Sequence, residues 1–163
     1  MKLKDLVQAM LLTVLVVGAV YGQDSTADSN DSDPVVAEIE STLTTQMNSW
    51  NNEDLDGFMQ TYWKSDNLTF SSGGKTTRGW QQTLDNYKTG YPSGKMGQLS
   101  FDNLETTILS ADAALVLGQW HLKFPEKNRD GNFSLVLRNL EGQWKIIHDH
   151  SSRLEPTEES VEE

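Results

Sequence analysis

Residues 111–124 read ADAALVLGQWHLKF and residues 142–152 read GQWKIIHDHSS, and both stretches predict long strands of one sheet. Apolar and polar side chains largely alternate in both, as they do in strands that turn one face toward a core. We therefore expect the fold to be built around a sheet that contains these two strands.

The alternation extends over four runs, which are 99–108, 113–124, 133–139 and 143–151. Turn signals separate the runs, most clearly Glu141 and Gly142. The four runs therefore predict an antiparallel meander. The phase of the alternation changes after Phe101, which predicts a β-bulge near Asp102 and Asn103.

Three helices are predicted before the meander. In the first helix, apolar residues recur at helical spacing, namely Val36, Ile39, Leu43, Met47 and Trp50. Asp33 is suited to cap this helix. A second short helix follows around Leu55, a short strand at 68–71 comes next, and a third helix begins near Trp80.

The order of helices first and strands last predicts an α+β fold. A long, bulged sheet curls, so the three N-terminal helices would pack on its concave side. The expected architecture is a cone-shaped, curved antiparallel sheet with a cavity between the helices and the sheet.

The two ends of the chain differ in composition from residues 34–153, which we predict to form one domain. Residues 1–22 begin with two lysines and continue into a short apolar run, which is typical of a signal peptide. Residues 23–33 and 154–163 are acidic and poor in apolar side chains, so we expect a disordered linker and a disordered tail. The mature protein is therefore predicted to be secreted or periplasmic.

Charge and cysteine content exclude several classes of partner. The chain has 163 residues, a formal net charge of −11 and no cysteine. Such a surface repels phosphate backbones and anionic headgroups, so we expect no nucleic-acid partner and no membrane partner after signal removal. The domain has no disulfide and must be held by its hydrophobic core. No phosphate loop, nucleophile elbow or dinucleotide fingerprint occurs, and we expect no cofactor.

Several segments together carry the pattern of a known family. They are WNNEDLDGFMQTYW at 50–63, YPSGKMGQLSFDNLE at 91–105, and the stretches 111–124 and 142–152. This pattern resembles the nuclear-transport-factor-2-like superfamily, most of all its SnoaL-like and ketosteroid-isomerase-like secreted bacterial members of unknown function. The ending is also similar to the association domain of calcium/calmodulin-dependent protein kinase. The resemblance implies a homodimer formed through the outer face of the curved sheet.

The chain departs from these relatives at two positions. Ketosteroid isomerase takes its proton with an aspartate on the strand after the second helix, and the resemblance puts Ser71 at that place. The kinase association domain has a basic residue directly after its second histidine, and here that residue is Ser151. The resemblance therefore implies neither ordinary ketosteroid isomerisation nor an anion pocket built on that basic residue.

His148 and His150 are the most specific candidates for chemistry. They are two apart in a predicted strand, so their side chains point the same way, with Cα atoms roughly 6.6 Å apart. Facing a cavity, they would be catalytic or ligand-binding, because imidazole exchanges protons near neutral pH. The alternative is that they are hydrogen-bonded core residues.

Which way the histidines point depends on the register of the last hairpin. With a two-residue turn at Glu141 and Gly142, both imidazoles face the interior opposite Leu135 and Phe133. One extra bulged residue would instead send Ile147, Asp149 and Ser151 inward. We favour the first register, because Trp144 and Ile146 then share the histidine face.

Other side chains are expected to line the same cavity. The candidate ligand-binding residues besides the histidines are Tyr62, Trp63, Arg78, Trp120, Phe133 and Leu135. The aromatic rings would form a pocket wall or, as is commoner for such residues, a plain core. Arg78 would meet an anionic group or be an exposed ion-pairing residue. Zinc needs three or four ligands, and His121 with scattered carboxylates does not complete a set, so we expect no metal site.

Three functional classes follow from these observations. The first is a secreted domain that binds a small apolar or weakly acidic molecule. The second is a histidine-dependent lyase, isomerase or hydrolase of the SnoaL-like type, and the third is an oligomerisation domain. An apolar cavity with converging polar groups favours the first two, whereas a cavity filled by Trp120 and Phe133 favours the third.

Overall fold

The computed structural model describes residues 33–154. The elements in chain order are α1 (Pro34–Asn51), α2 (Leu55–Gln60), β1 (Thr69–Ser72), β2 (Lys75–Arg78), α3 (Trp80–Gly90), β3 (Gln98–Ser110), β4 (Ala113–Lys123), β5 (Arg129–Leu140) and β6 (Gln143–Arg153). The predicted signal peptide at 1–22, nearly all of the predicted linker, and residues 155–163 of the predicted tail lie outside the described residues.

The six strands form one curved sheet in the order β2-β1-β6-β5-β4-β3. Strands β3 to β6 are antiparallel neighbours, as the meander prediction requires. Strand β1 adds to β6 in parallel and pairs antiparallel with β2 through a tight hairpin. The α+β prediction is thus confirmed, with the short parallel pairing as an addition that the strand pattern did not reveal. No helix between residues 33 and 154 is long and apolar enough to cross a membrane.

Helix α1 begins where its cap was predicted and packs on the sheet through one face. The Asp33 carboxylate accepts a hydrogen bond of 2.9 Å from the Val35 amide. Ile39, Leu43 and Trp50 are buried as predicted. The fourth fully buried residue is Gln46 rather than Met47, because the Gln46 amide donates a 3.0 Å hydrogen bond to Thr61 Oγ1 beyond α2.

Two of the three register shifts between the described strands set which side chains face the helices. The predicted bulge is present, since the β3–β4 register shifts between Asp102 and Glu105 and Asn103 adopts φ +51°. A second shift lies between β5 and β6, where Leu137 pairs with Ile146 but Val136 pairs with His148. The extra residue is Ile147, and every side chain after it in β6 changes face.

Candidate functional site

A cavity of about 370 Å³ lies between the helices and the concave face of the sheet. Its helix side is made by four aromatic residues, Trp50, Phe58, Tyr87 and Tyr91. Their rings meet edge to face, with the Trp50 centroid 5.2 Å from that of Phe58 and 4.8 Å from that of Tyr91. The Trp50 indole N–H donates to the Gly97 carbonyl oxygen at 3.2 Å. These contacts fix one wall of the cavity.

The sheet side is also mostly apolar, with Phe70, Phe101, Trp120, Phe133 and Leu135 on the wall. The Phe101 and Phe133 rings meet edge to face at 5.4 Å. Trp120 and Phe133 therefore line the cavity and do not fill it.

Trp120 lies directly against the backbone of Gly131, which is its partner across β4 and β5. A Cβ atom placed on Gly131 would approach two Trp120 ring atoms to 2.5 Å and the Ser152 carbonyl oxygen more closely still. Glycine is therefore required at this position for the indole to take its place in the wall.

A buried carboxylate lies just behind the sheet wall. Asp149 is 4% exposed, and its Oδ2 accepts a 2.8 Å hydrogen bond from the Tyr62 hydroxyl. Its Oδ1 accepts a 2.9 Å hydrogen bond from Ser151 Oγ. Ser151 lines the cavity, so the carboxylate is one hydrogen bond away from any molecule held there.

Burial dominates the electrostatics of this group. It raises the pKa of Asp149 to about 6, although the hydrogen bonds from Tyr62 and Ser151 act in the opposite direction. Burial also raises the pKa of Tyr62 and of Tyr87 well above the usual range, and the nearby Asp149 charge adds to both effects. Both tyrosines therefore stay protonated as hydrogen-bond donors, while Asp149 exchanges a proton near neutral pH.

The rim of the cavity carries polar side chains from β1, β2 and α3. Ser72, Lys75 and Thr77 line it. The Asn86 side-chain amide lies there too and donates a 3.2 Å hydrogen bond to Thr77 Oγ1. Lys75 is the cation of the lining in the described part of the chain.

His148 and His150 lie on the opposite face of the sheet from the cavity. His148 Nδ1 is 2.6 Å from Thr69 Oγ1, and burial, with His150 as the lesser cause, lowers the His148 pKa. His150 is exposed and is paired with Ser71 of β1. The prediction that both imidazoles face the interior is wrong, because the bulged Ile147 inverts the faces and turns Asp149 inward.

The SnoaL-like domain family matches residues 39–156. The chain belongs to this family. A nuclear-transport-factor-2-like protein of unknown function from Shewanella oneidensis is 38% identical, with a TM-score of 0.70 over 72% of this chain and 98% of that one.

More distant solved structures share the fold of this SnoaL-like domain. A nuclear-transport-factor-2-like superfamily protein from Salmonella enterica is 20% identical, with a TM-score of 0.61, and covers 79% of this chain and 97% of its own. A ketosteroid isomerase-like protein from Erwinia carotovora is 18% identical, also with a TM-score of 0.61, and covers 77% and 100%. Comparison with curated proteins finds no match.

The SnoaL-like domain brings together only part of the predicted site. Trp120, Phe133 and Leu135 line the cavity, and Tyr62 reaches it through Asp149. The remaining four predicted residues are absent from the lining, namely Trp63, Arg78, His148 and His150.

Arg78 and Trp63 are turned away from the cavity for local reasons. Phe70 pairs with Thr77 and both line the cavity, so Thr69 and its partner Arg78 face outward. The cavity-facing cation is thus Lys75, three residues earlier in the same hairpin. Trp63 is half-buried, and its backbone amide donates a 2.9 Å hydrogen bond to the Ile146 carbonyl oxygen, which ties this residue to the end of the sheet.

Strand β1 also differs in phase from the placement that the resemblance suggested. Its cavity-facing residues are Phe70 and Ser72, whereas Ser71 Oγ lies 2.9 Å from Thr76 Oγ1 on the other face. Neither cavity-facing residue is a carboxylate. Within residues 33–154 there is also no group of three or more histidine, aspartate or glutamate side chains placed to hold a metal ion.

Proposed function

We propose that this SnoaL-like domain is an exported protein that binds a small molecule with an apolar body and a weakly acidic group. The observation that carries the proposal is the aromatic cavity of about 370 Å³ with a few polar groups at two ends. Small-molecule sites in proteins typically measure ~300–1,000 Å³ and combine apolar walls with a few directed polar groups. An occupant with one or two rings fits this description.

The polar groups suggest how the molecule is oriented. Ser151 and Tyr87 offer hydrogen bonds deep in the cavity, and Asp149 fixes the Ser151 hydroxyl from behind. Lys75 lies at the rim. An acidic group at the rim would gain from this cation in a chain whose net charge is −11. The apolar body would then lie between the Trp50 and Trp120 walls.

Export is proposed from the basic start and the apolar run of residues 1–22. Intact-mass measurement of the protein released by its host is expected to show a chain that begins near Gln23. A full-length, membrane-bound species would refute this part of the proposal.

The binding proposal is tested with 1-anilinonaphthalene-8-sulfonate, which has an apolar ring system and one negative charge. The probe is titrated against the wild type, Lys75→Gln and Arg78→Gln, with tryptophan fluorescence as the readout. Lys75→Gln should weaken binding about 2- to 5-fold, the effect of one partly exposed charge pair. Arg78→Gln makes the same change of charge on the outward face and should alter affinity by less than about 1.5-fold, within the ordinary effect of a surface substitution.

Equal effects of the two substitutions would show that the anion is not held at the cavity rim. Mass spectrometry of the protein purified from its native host then identifies any retained molecule. A retained molecule without a ring or apolar chain would refute the proposed ligand class.

Acid–base catalysis is the second candidate, and the observation that favours it is the buried Asp149 beside the cavity. A carboxyl with a pKa of about 6 can give or take a proton at neutral pH. Ser151 would pass the proton, because its hydroxyl contacts both Asp149 and the cavity. If the molecule retained on purification is converted to a product, Asp149→Asn should abolish that conversion and His150→Asn should leave it intact. The reverse result would restore the histidine-dependent mechanism.

A further inference from the structure

A second concave surface lies at the end of the sheet and shares no lining residue with the cavity. Its basic side chains are Lys95, Lys123, Lys127, Arg129 and Arg153. We call this surface the basic groove. Its volume is about 810 Å³, and it is formed by the loop before β3, the β4–β5 connection and the last residue of β6.

The basic groove concentrates positive charge in an acidic protein. It holds five of the 11 lysines and arginines in residues 33–154, while the whole chain has a net charge of −11. Its lining includes two carboxylates, Glu53 and Glu126. The Glu53 carboxylate is already bound by Ser93 Oγ at 2.7 Å and by the Gly94 amide at 2.9 Å.

Three of the five basic side chains, those of Lys123, Arg129 and Arg153, are held close together by the sheet. Arg153 pairs with Gly131 in β5, and Arg129 lies two residues farther along that strand, roughly 7 Å away. Arg129 pairs with Leu122, which precedes Lys123 in β4. Within the described part of the chain, none of the five basic side chains makes an ion pair with a carboxylate.

The acidic end of the chain begins beside this groove. The Leu154 amide donates a 2.9 Å hydrogen bond to the Asp130 carbonyl oxygen, which fixes where the chain leaves β6. Residues 155–163 follow at once and contain five glutamates. Nine extended residues span up to ~30 Å, and the segment begins two residues after Arg153, which lines the groove.

We propose that residues 155–163 dock in the basic groove of their own chain. Tethering at Leu154 gives the segment an effective concentration in the millimolar range, so several weak ion pairs suffice without a folded segment. Each exposed pair contributes ~0.2–1 kcal/mol. The interaction is screened by salt, because the Debye length falls from ~10 Å at 0.1 M to ~3 Å at 1 M.

The chain has no cysteine, so a nitroxide label on Ser160→Cys marks the segment at one place. In the ¹⁵N-labelled full-length protein at low salt, the label should remove more than about half of the amide signal intensity at 95–98 and 123–129. The signals at 110–113 and 140–143 should change little, because these turns lie at the opposite ends of the strands from the groove. Raising the salt to 1 M should restore the groove signals.

The matched control has the same label and all five glutamates of 155–163 changed to glutamine. This variant keeps the folded residues and the tether, so its groove signals should lose less than about a fifth of their intensity. Equal loss in both proteins, or no selective loss in the first, would overturn the proposal.

Two mixtures separate the other occupants. In the first, ¹⁵N-labelled protein without a nitroxide is mixed with nitroxide-labelled protein that carries no ¹⁵N, and no broadening of the groove signals is expected. Broadening would assign the groove to the segment of a second copy and refute docking within one chain.

In the second, inorganic phosphate should shift the groove amide signals several-fold more in the glutamine variant than in the wild type. Equal phosphate shifts would mean that the groove is open and the segment does not occupy it.

Discussion

The Tyr62 hydroxyl donates a 2.8 Å hydrogen bond to Oδ2 of Asp149, joining residues that are 87 positions apart in sequence. The bond connects the segment after α2 to the middle of β6. Tyr62 is 3% exposed and Asp149 is 4% exposed, so water does not compete for either group. The pair therefore links the segment after α2 to the sheet. It also holds the carboxylate that accepts the hydrogen bond of the cavity-facing Ser151 hydroxyl.

Asp149 is expected to make stability depend on pH in an unusual direction for a carboxylate. Its pKa rises from an ordinary value of 3.8 to about 6 in the folded protein. The folded state therefore holds the Asp149 proton more tightly than the unfolded state does. The contribution of this proton to the unfolding free energy is fully present below about pH 4 and is lost as pH rises through about 6. A shift of this size corresponds to roughly 3 kcal/mol of unfolding free energy.

Chemical unfolding from about pH 4 to pH 7.5 checks this expectation. The unfolding free energy of the wild type should fall relative to that of Asp149→Asn as pH rises through this window. Asp66→Asn, which changes an exposed aspartate, should stay parallel to the wild type. A wild-type curve parallel to that of Asp149→Asn would contradict the raised pKa.

Gly131→Ala is expected to destabilise the fold and disturb the cavity wall. The new methyl group would collide with the Ser152 backbone and displace the Trp120 indole. Overpacking of this kind costs about 1–3 kcal/mol. Thermal unfolding and tryptophan emission measure the two effects.

The control is Gly90→Ala at the end of α3. Nothing lies within 4 Å of the Cβ atom that this substitution adds, so it should be neutral or slightly stabilising. Similar melting temperatures for the two variants would argue against the close Trp120 contact.

Neither His148 nor His150 is expected to affect binding, and only His148 is expected to affect stability. His148→Ala removes the contact with Thr69 Oγ1 and should lower the unfolding free energy by about 1 kcal/mol. His150→Ala should change it by less than about 0.5 kcal/mol, because the side chain is exposed. Neither variant should alter the affinity for 1-anilinonaphthalene-8-sulfonate by more than about twofold, within the range of surface substitutions. A loss of binding without a loss of stability would place the histidines in the site after all.

A homodimer through the outer face of the sheet remains a prediction, which we retain as a proposal. Leu117 lies on that face and is 40% exposed. Leu117→Lys should convert the dimer to monomer in light scattering at micromolar concentration. The control is Leu104→Lys, which is exposed to a similar extent, 36%, but approaches Gly118 and Phe133 on the concave face. A monomeric wild type, or a Leu117→Lys dimer of unchanged affinity, would exclude this interface.

Sequence patterns predicted the elements of this fold better than the faces of its strands. The first bulge was visible because the alternation itself slips after Phe101. The second bulge was an open alternative that the sequence could not decide, because Ile146 and Ile147 are both apolar and either one fits the core. Pairing with β5 on one side and β1 on the other decides which isoleucine is extra, and such long-range pairing leaves no local signal.

Long-range contacts, which leave no local signal in the sequence, also explain why other residues lie elsewhere than predicted. Gln46 is buried because Thr61 provides its hydrogen bond, and helical spacing does not show that distant partner. Lys75 replaces Arg78 at the rim because the phase of the β1–β2 hairpin is set by Gly73 and Gly74, both of which have positive φ. Asp149 was assigned to the outer face on the assumption that β6 is regular.

The extra residue at Ile147 has an evolutionary consequence. Loss of its codon would leave a regular β6 in which Ile146 still pairs with Leu137 and Asp149 still pairs with Leu135. The bulge therefore absorbs one residue without moving the carboxyl group away from the cavity. A descendant of this domain can change in length at this point of the chain and keep the same cavity floor.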